Sequence, residues 1–145
     1  MKVNEIMTGD AKAVRPENTL VEAAEVMREL DVGGVPVCDG RKLRGMLTDR
    51  DIAIRAVADG RDPRQTRVRD TMSDGIVHVF DDQDVEEAAR LMAQHQIRRL
   101  PVIDHKKQLV GIVSLGDLSV HGSAEKSAEA LRDVSEPSRP KPPIQ

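Results

Sequence analysis

Leu20, Ala23, Ala24, Met27 and Leu30 recur at spacings of three and four residues, and Val85, Ala88, Ala89, Met92 and His95 repeat the stripe, with His95 as its polar member. Such spacing predicts a helix in each place with one face turned to a core. Both helices open on an acceptor-x-x-Glu signature, Thr19 with Glu22 and Asp84 with Glu87, which predicts a reciprocal capping box. Short apolar runs at 11–14 and 76–79 read as strands ahead of them. Behind each helix lie two more apolar runs, 35–38 with 43–47 and 100–103 with 109–113, separated by Asp39-Gly40 and by residues 104–107. Each pair predicts a hairpin. A second helix is expected from Asp49 and again from Leu115. The order β-α-β-β-α therefore occurs twice.

Sliding the chain against itself by 65 positions lays Val3 on Val68, Met7 on Met72, Glu22-Ala23-Ala24 on Glu87-Ala88-Ala89, and Pro36-Val37 on Pro101-Val102. One inserted residue makes the offset 66, and Leu43, Gly45 and Asp51 then meet Leu109, Gly111 and Asp117. Over 3–39 and 43–52, 13 of 47 aligned positions are identical, which marks an internal duplication. The expected organisation is a first repeat at 3–58, a polar linker at 59–67, a second repeat at 68–120, and a segment at 121–145. That last segment should hold a helix over 123–134 and a proline-rich tail. A single repeat is too small to cover both faces of its sheet, so the two should pack together about a pseudo-twofold axis. The fold class is α+β with an α/β-like alternation.

Composition narrows the function. Phe80 is the sole aromatic residue among 145, with no Trp and no Tyr, so the core must be aliphatic and no aromatic platform is available to stack nucleic-acid bases. A net charge of -3 gives no general attraction to phosphate backbones. The single cysteine, Cys38, rules out an internal disulfide and a multi-cysteine zinc site. His78, His95, His105 and His121 share no ligand spacing, so no metal is expected. No apolar run approaches the ~18 residues of a membrane span, and the first residues lack a signal-peptide core. A soluble cytoplasmic protein is expected, with no nucleic-acid or membrane partner.

The chemistry concentrates where the hairpin meets the second helix. Gly45-x-x-Thr48-x-x-Asp51 and Gly111-x-x-Ser114-x-x-Asp117 occupy the same place in each repeat. A hydroxyl beside free backbone N–H groups can seat a phosphate, and a carboxylate one turn later can accept both hydroxyls of a ribose. The same pattern is also a capping box, so Thr48, Asp51, Ser114 and Asp117 carry a purely structural alternative. No Ser/His/Asp or Cys/His set falls at matched positions, and no catalytic residue is expected.

These two repeats, with Pro-Val before the hairpin and Gly-x-x-Thr/Ser-x-x-Asp after it, resemble a tandem pair of cystathionine-β-synthase (CBS) domains, the Bateman module, over about four-fifths of the chain. The resemblance implies a non-catalytic regulatory module that binds AMP, ADP, ATP or S-adenosylmethionine in two related clefts, with no obligatory cofactor. It further implies that Asp51 and Asp117 hold ribose and that Thr48 and Ser114 meet phosphate. Backbone near the first strand of each repeat, 11–14 and 76–79 with His78, and near the Pro-Val strand at Gly34 and Val35, would cradle adenine. Arg98 and Arg99, just before the second Pro-Val strand, would meet phosphate through their guanidinium forks, where the first repeat has Gly33-Gly34. Their alternative is a pair of solvated edge charges. Asp49 and Arg50, beside Thr48, alter the phosphate environment, and Asp49 would repel an anion unless it points away. The resemblance also implies a homodimer, through Ile52, Ala53, Ala56 and Val57 of the second helix, that regulates a protein partner. The rival reading is an interaction module without a ligand.

Overall fold

The protein is described by a computed structural model covering residues 1–121 and 132–135. Its elements are β1 (Thr8–Gly9), α1 (Leu20–Leu30), β2 (Gly34–Asp39) and β3 (Lys42–Thr48), then α2, a turn at Asp49–Asp51 that widens into a π-helix over Ile52–Val57. The second half supplies β4 (Val79–Phe80), α3 (Val85–His95), β5 (Arg99–Ile103), β6 (Leu109–Ser114) and α4 (Leu115–His121). One sheet has the order β1-β6-β5-β4, and the other pairs β2 with β3. Single bridges, Val14 parallel to Val37 and Met46 antiparallel to Ser73, give the smaller sheet the same plan as the larger. Helices and sheets are mixed and duplicated, as an α+β fold.

The leading segment of each repeat crosses to the other. Thr8 and Gly9 pair with Ile112 and Gly111 on β6, while Ser73 pairs with Met46 on β3. Val3 and Ile6 are buried in the second repeat's core with Leu100, Val102 and Met92, and Val68 is buried in the first repeat's core with Leu20, Val35 and Leu47. The crossing is held by matching backbone bonds. Val3 N–H donates to Gln83 at 2.8 Å and Asn4 N–H to Asp81 at 3.0 Å; Val68 donates to Asn18 at 2.8 Å and Arg69 to Pro16 at 2.9 Å. Removing either segment would strip apolar cover from the other repeat, so the halves are interlocked rather than merely adjacent.

Local sequence explains most of the elements and several departures. Thr19 and Glu22 form the reciprocal box: Glu22 N–H donates to the Thr19 hydroxyl at 3.2 Å, and Thr19 N–H donates to the Glu22 carboxylate at 3.0 Å. That backbone bond holds the Glu22 carboxyl below its usual range. The box expected at Asp84 does not form. Asp84 accepts instead from Glu86 N–H at 2.9 Å, and Glu87 turns along the helix to Arg90, which donates to it. Position 90 corresponds to Glu25, so the first repeat offers no such cation to draw Glu22 away. The stripe on α1 is also narrower than expected: Ala24 and Leu30 are exposed, and Val26 packs on the core in their stead. The strands expected at 11–14 and 76–79 shrink to the Val14 bridge and to Val79–Phe80; in the first repeat Ala11 and Lys12 line the junction between repeats instead, and in the second Val77 packs on the core. On α2, Ile52 packs on the first core and Ala56 is buried, so neither belongs to a free dimer face; Ala53, Ile54 and Val57 remain exposed. The helix expected over 123–134 falls largely outside the described residues, although 132–135 are helical, and the tail lies outside them. Among the described residues no helix is long and apolar enough to cross a membrane.

Candidate functional site

Each hairpin delivers its second strand into a helix through the motif hydroxyl. The Asp117 N–H donates to the Ser114 hydroxyl at 3.0 Å, and the Ser114 N–H donates to Asp117 Oδ2 at 2.8 Å. Thr48 and Asp51 repeat the arrangement at 3.1 and 3.0 Å. The capping boxes therefore exist, and each engages one carboxylate oxygen. Asp117 Oδ1 makes no hydrogen bond among the described residues, and Asp51 Oδ1 lies 4.0 Å from Arg55 Nε. A structural role at the cap thus leaves a second acceptor free for a ligand hydroxyl.

The glycine that opens each motif has a different task. A Cβ on Gly111 would stand 2.7 Å from the Thr8 carbonyl oxygen and from Met7 Sδ. One on Gly45 would stand 2.7 Å from the Ser73 carbonyl and 3.0 Å from Met72 Sδ. These positions need glycine because the crossing segment lies directly on the strand. The close approach carries the segment after Thr8 into the junction, opposite Ser114 and Asp117.

There a cleft of about 330 Å³ opens between the repeats. The second repeat contributes Arg99, Ile112, Ser114 and Asp117, and the first contributes Val32, Gly34, Val35, Pro36 and Met46. Thr8, Asp10, Ala11 and Lys12 of the crossing segment form another wall. Five of the nine residues singled out in the sequence, Ser114, Asp117, Arg99, Gly34 and Val35, meet here. Arg99 is the cross-strand partner of Ser114, as Gly34 is of Thr48. Thr48 and Asp51 take the corresponding place in the first repeat and do not line this cleft. Beside them, Asp49 Oδ1 accepts from Arg50 N–H at 2.8 Å, and its Oδ2 lies 3.2 Å from where a Cβ of Gly33 would stand.

Two candidates lie elsewhere. Arg98 is exposed and does not line the cleft; its carbonyl receives the Leu115 N–H at 2.9 Å. His78 is also exposed, with Nδ1 3.2 Å from the Ile76 carbonyl oxygen and its ring edge-on to Phe80. The cleft residues that sequence reasoning missed include Thr8, Asp10, Leu30, Val32, Met46 and Ile112, and for Lys12, on the expected first strand, it gave the side chain no role. The duplication held the signal for Thr8 and the residues after it, since Gly45 and Gly111 mark where a leading segment must cross.

A second hollow of about 390 Å³ is lined by Asp10, Ala13, Cys38, Arg41 and Val110 among others. Burial pushes the Cys38 thiol up to about 11, so it stays protonated and weakly nucleophilic near neutral pH. At the tip of the second hairpin, Asp81, Asp82 and His105 place three potential metal-ligand atoms within 4.8 Å of one another, a grouping that histidine spacing alone did not reveal. His105 Nε2 lies 2.7 Å from Asp82 Oδ2, and its ring stacks on Phe80 at 4.8 Å. The hydrogen bond raises the imidazole above 6.5 and lowers the Asp82 carboxyl.

Two interlocked β-α-β-β-α repeats around a junctional cleft define a tandem-repeat cleft protein. The chain belongs to the CBS domain family, whose model matches residues 3–57 and 68–121. It is similar to CBS domain-containing protein YhcV of Bacillus subtilis (strain 168), 48% identical over 134 residues that span 92% of this chain and 94% of YhcV. Hypoxic response protein 1 of Mycobacterium tuberculosis (strain ATCC 25618 / H37Rv) is 37% identical over 134 residues, 92% and 93% of the two chains. Among solved structures, CBSX2 in complex with AMP is 29% identical at a TM-score of 0.71, with 82% of this chain and 93% of that chain covered.

Proposed function

We propose that this protein is a non-catalytic sensor that binds an adenosine ligand, AMP, ADP, ATP or S-adenosylmethionine, in the cleft between its repeats. The observation that carries the reading is the convergence of Ser114, Asp117 and Arg99 from one repeat with the Gly34–Val35 backbone from the other around a single cleft. Ribose hydroxyls would bond to Asp117 Oδ1, adenine would lie along Gly34 and Val35, and phosphate would meet Ser114 and Arg99. The likeness to an AMP-bound CBS structure supports this choice of ligand. Thr48 and Asp51 would serve a second, pseudo-symmetric site. The protein would act as a homodimer through the exposed apolar side chains of the second helices, Ile54 and Val57 on α2 and Val120 on α4. A ligand at the junction would bias the packing of the interlocked repeats and so be read by a regulated partner.

The absence of Trp and Tyr makes the first test direct. Adenine retained through purification would dominate the near-ultraviolet spectrum, and mass spectrometry of the denatured supernatant would name it. An adenine spectrum that disappears in Asp117→Ala supports the proposal. A retained compound without adenine would overturn it.

A further inference from the structure

Lys12 lies on the wall of the cleft contributed by the crossing segment, while Arg99 enters from β5 of the second repeat. Two cations thus reach one junction from different parts of the chain. Their counterparts in the duplication are Val77 and Gly34, so the pair is not a general feature of the repeat. Lys12 also has an anionic partner: its Nζ stands 3.2 Å from Glu29 Oε2, on the last turn of α1. The counterpart of Glu29 is Gln94, so the competing carboxylate and the lysine occur together in this one place. Lys12 and Glu29 are both about half exposed or more, and Glu29 itself does not line the cleft. Such an exposed pair is weak, at most about 1 kcal/mol, and a phosphate with nearly two charges can displace the carboxylate.

We propose that Lys12 is a phosphate-recognition residue of this cleft and that Glu29 competes with the ligand for it. The pair makes the site select phosphorylated over unphosphorylated ligands and raises the concentration at which they bind. Asp10 and Asp117, the acidic members of the lining, favour hydroxyl-bearing ligands and oppose excess negative charge, so the selection depends on Lys12 and Arg99 together. This inference rests on the adenosine reading for the identity of the ligand, but not for its charge.

The experiment is a double-mutant cycle of Lys12→Gln and Glu29→Gln, titrated with AMP, adenosine and inorganic pyrophosphate. Backbone amide shifts at Lys12, Arg99 and Ser114 locate the binding. Glu29→Gln should tighten AMP and pyrophosphate measurably, by up to about fivefold, the ceiling for a surface ion pair, and leave adenosine unchanged. Lys12→Gln should weaken both anions and abolish the effect of Glu29→Gln. Equal effects on AMP and adenosine, or additive effects of the two substitutions on the anions, would overturn the proposal. If neither AMP nor adenosine shifts these amides but pyrophosphate follows the cycle, the adenosine reading fails while the role of Lys12 stands. Pyrophosphate that leaves Lys12 unshifted, or affinity for it that Glu29→Gln does not change, overturns the role of Lys12 itself.

Discussion

Gly111 supports the backbone of Thr8 directly: a Cβ at position 111 would lie 2.7 Å from the Thr8 carbonyl oxygen. That contact lets a segment at the head of the first repeat become an edge strand of the second repeat's sheet. Gly111→Ala should therefore push the segment away and destabilise the fold by about 1–3 kcal/mol, the range for overpacking a close contact. Gly116→Ala is the matched control, since the nearest atom to its Cβ is Ser114 Oγ at 3.6 Å and the residue lies within α4. It should range from neutral to a gain of about 1 kcal/mol. Chemical denaturation of both variants checks the pair.

Thr71 is 1% exposed, and its hydroxyl has no hydrogen-bond partner among the described residues. Its counterpart in the duplication is Ile6, which fills the equivalent place with carbon. Thr71→Val keeps the shape and removes the unsatisfied hydroxyl, so it should stabilise the protein by about 1 kcal/mol. Calorimetry should show Tm higher by ~4 °C. A lower Tm would mean that the hydroxyl is satisfied in solution.

The His105–Asp82 pair gives a pH signature. Its hydrogen bond raises His105 above the ordinary 6.5, with Asp81 and Asp104 adding to the effect, and lowers Asp82, which also feels Lys2. The histidine's contribution to stability is whole below 6.5 and is lost as pH rises through the raised value. The aspartate's is whole above 3.8 and is lost as pH falls through the lowered value. His105→Gln should therefore lower Tm most near about pH 5.5 and very little by about pH 8.5. An NMR titration should place the His105 imidazole above its ordinary value, and Asp82→Asn should bring it most of the way back.

Arg98 and Arg99 are alike in sequence and differently placed: Arg99 opens β5, whereas Arg98 lies in the bend before it. Arg99 lines the cleft and Arg98 does not. Arg99→Gln should weaken AMP by about tenfold, as loss of a charged hydrogen bond would, and leave adenosine little changed. Arg98→Gln should leave both unchanged. The effect of Arg99 should shrink with added salt, because the Debye length falls from about 10 Å at 0.1 M to about 3 Å at 1 M.

Much of the fold is legible in the chain because the duplication prints it twice. The helix stripes, hairpins and motif glycines align across the two copies with a single one-residue insertion, and the Thr19–Glu22 box needs only local geometry. The crossing of the leading segments is not legible in the same way. Periodicity shows that Val3 and Val68 are apolar, but not whose core receives them. The cleft role of Lys12 is hidden for that reason: it is remote in sequence from Ser114 and joins it through the crossing. Asp84 shows a smaller limit, since its box is lost to Arg90, a side-chain competition that a four-residue signature does not contain. In sequence Ile52 and Ala56 look like their exposed neighbours, and only the seating of α2 on the first core separates them from a free face.

The most direct test of the central claim is calorimetric titration of nucleotide-free protein with AMP, run beside Asp117→Ala. The wild-type protein should bind saturably, and the variant should bind about 10- to 150-fold more weakly, the loss expected from one charged hydrogen bond. The variant's fold should survive, with a loss of about 1 kcal/mol from its helix cap. AMP binding of equal affinity in both proteins would contradict the account, as would the absence of binding by AMP, ADP, ATP and S-adenosylmethionine to the wild-type chain.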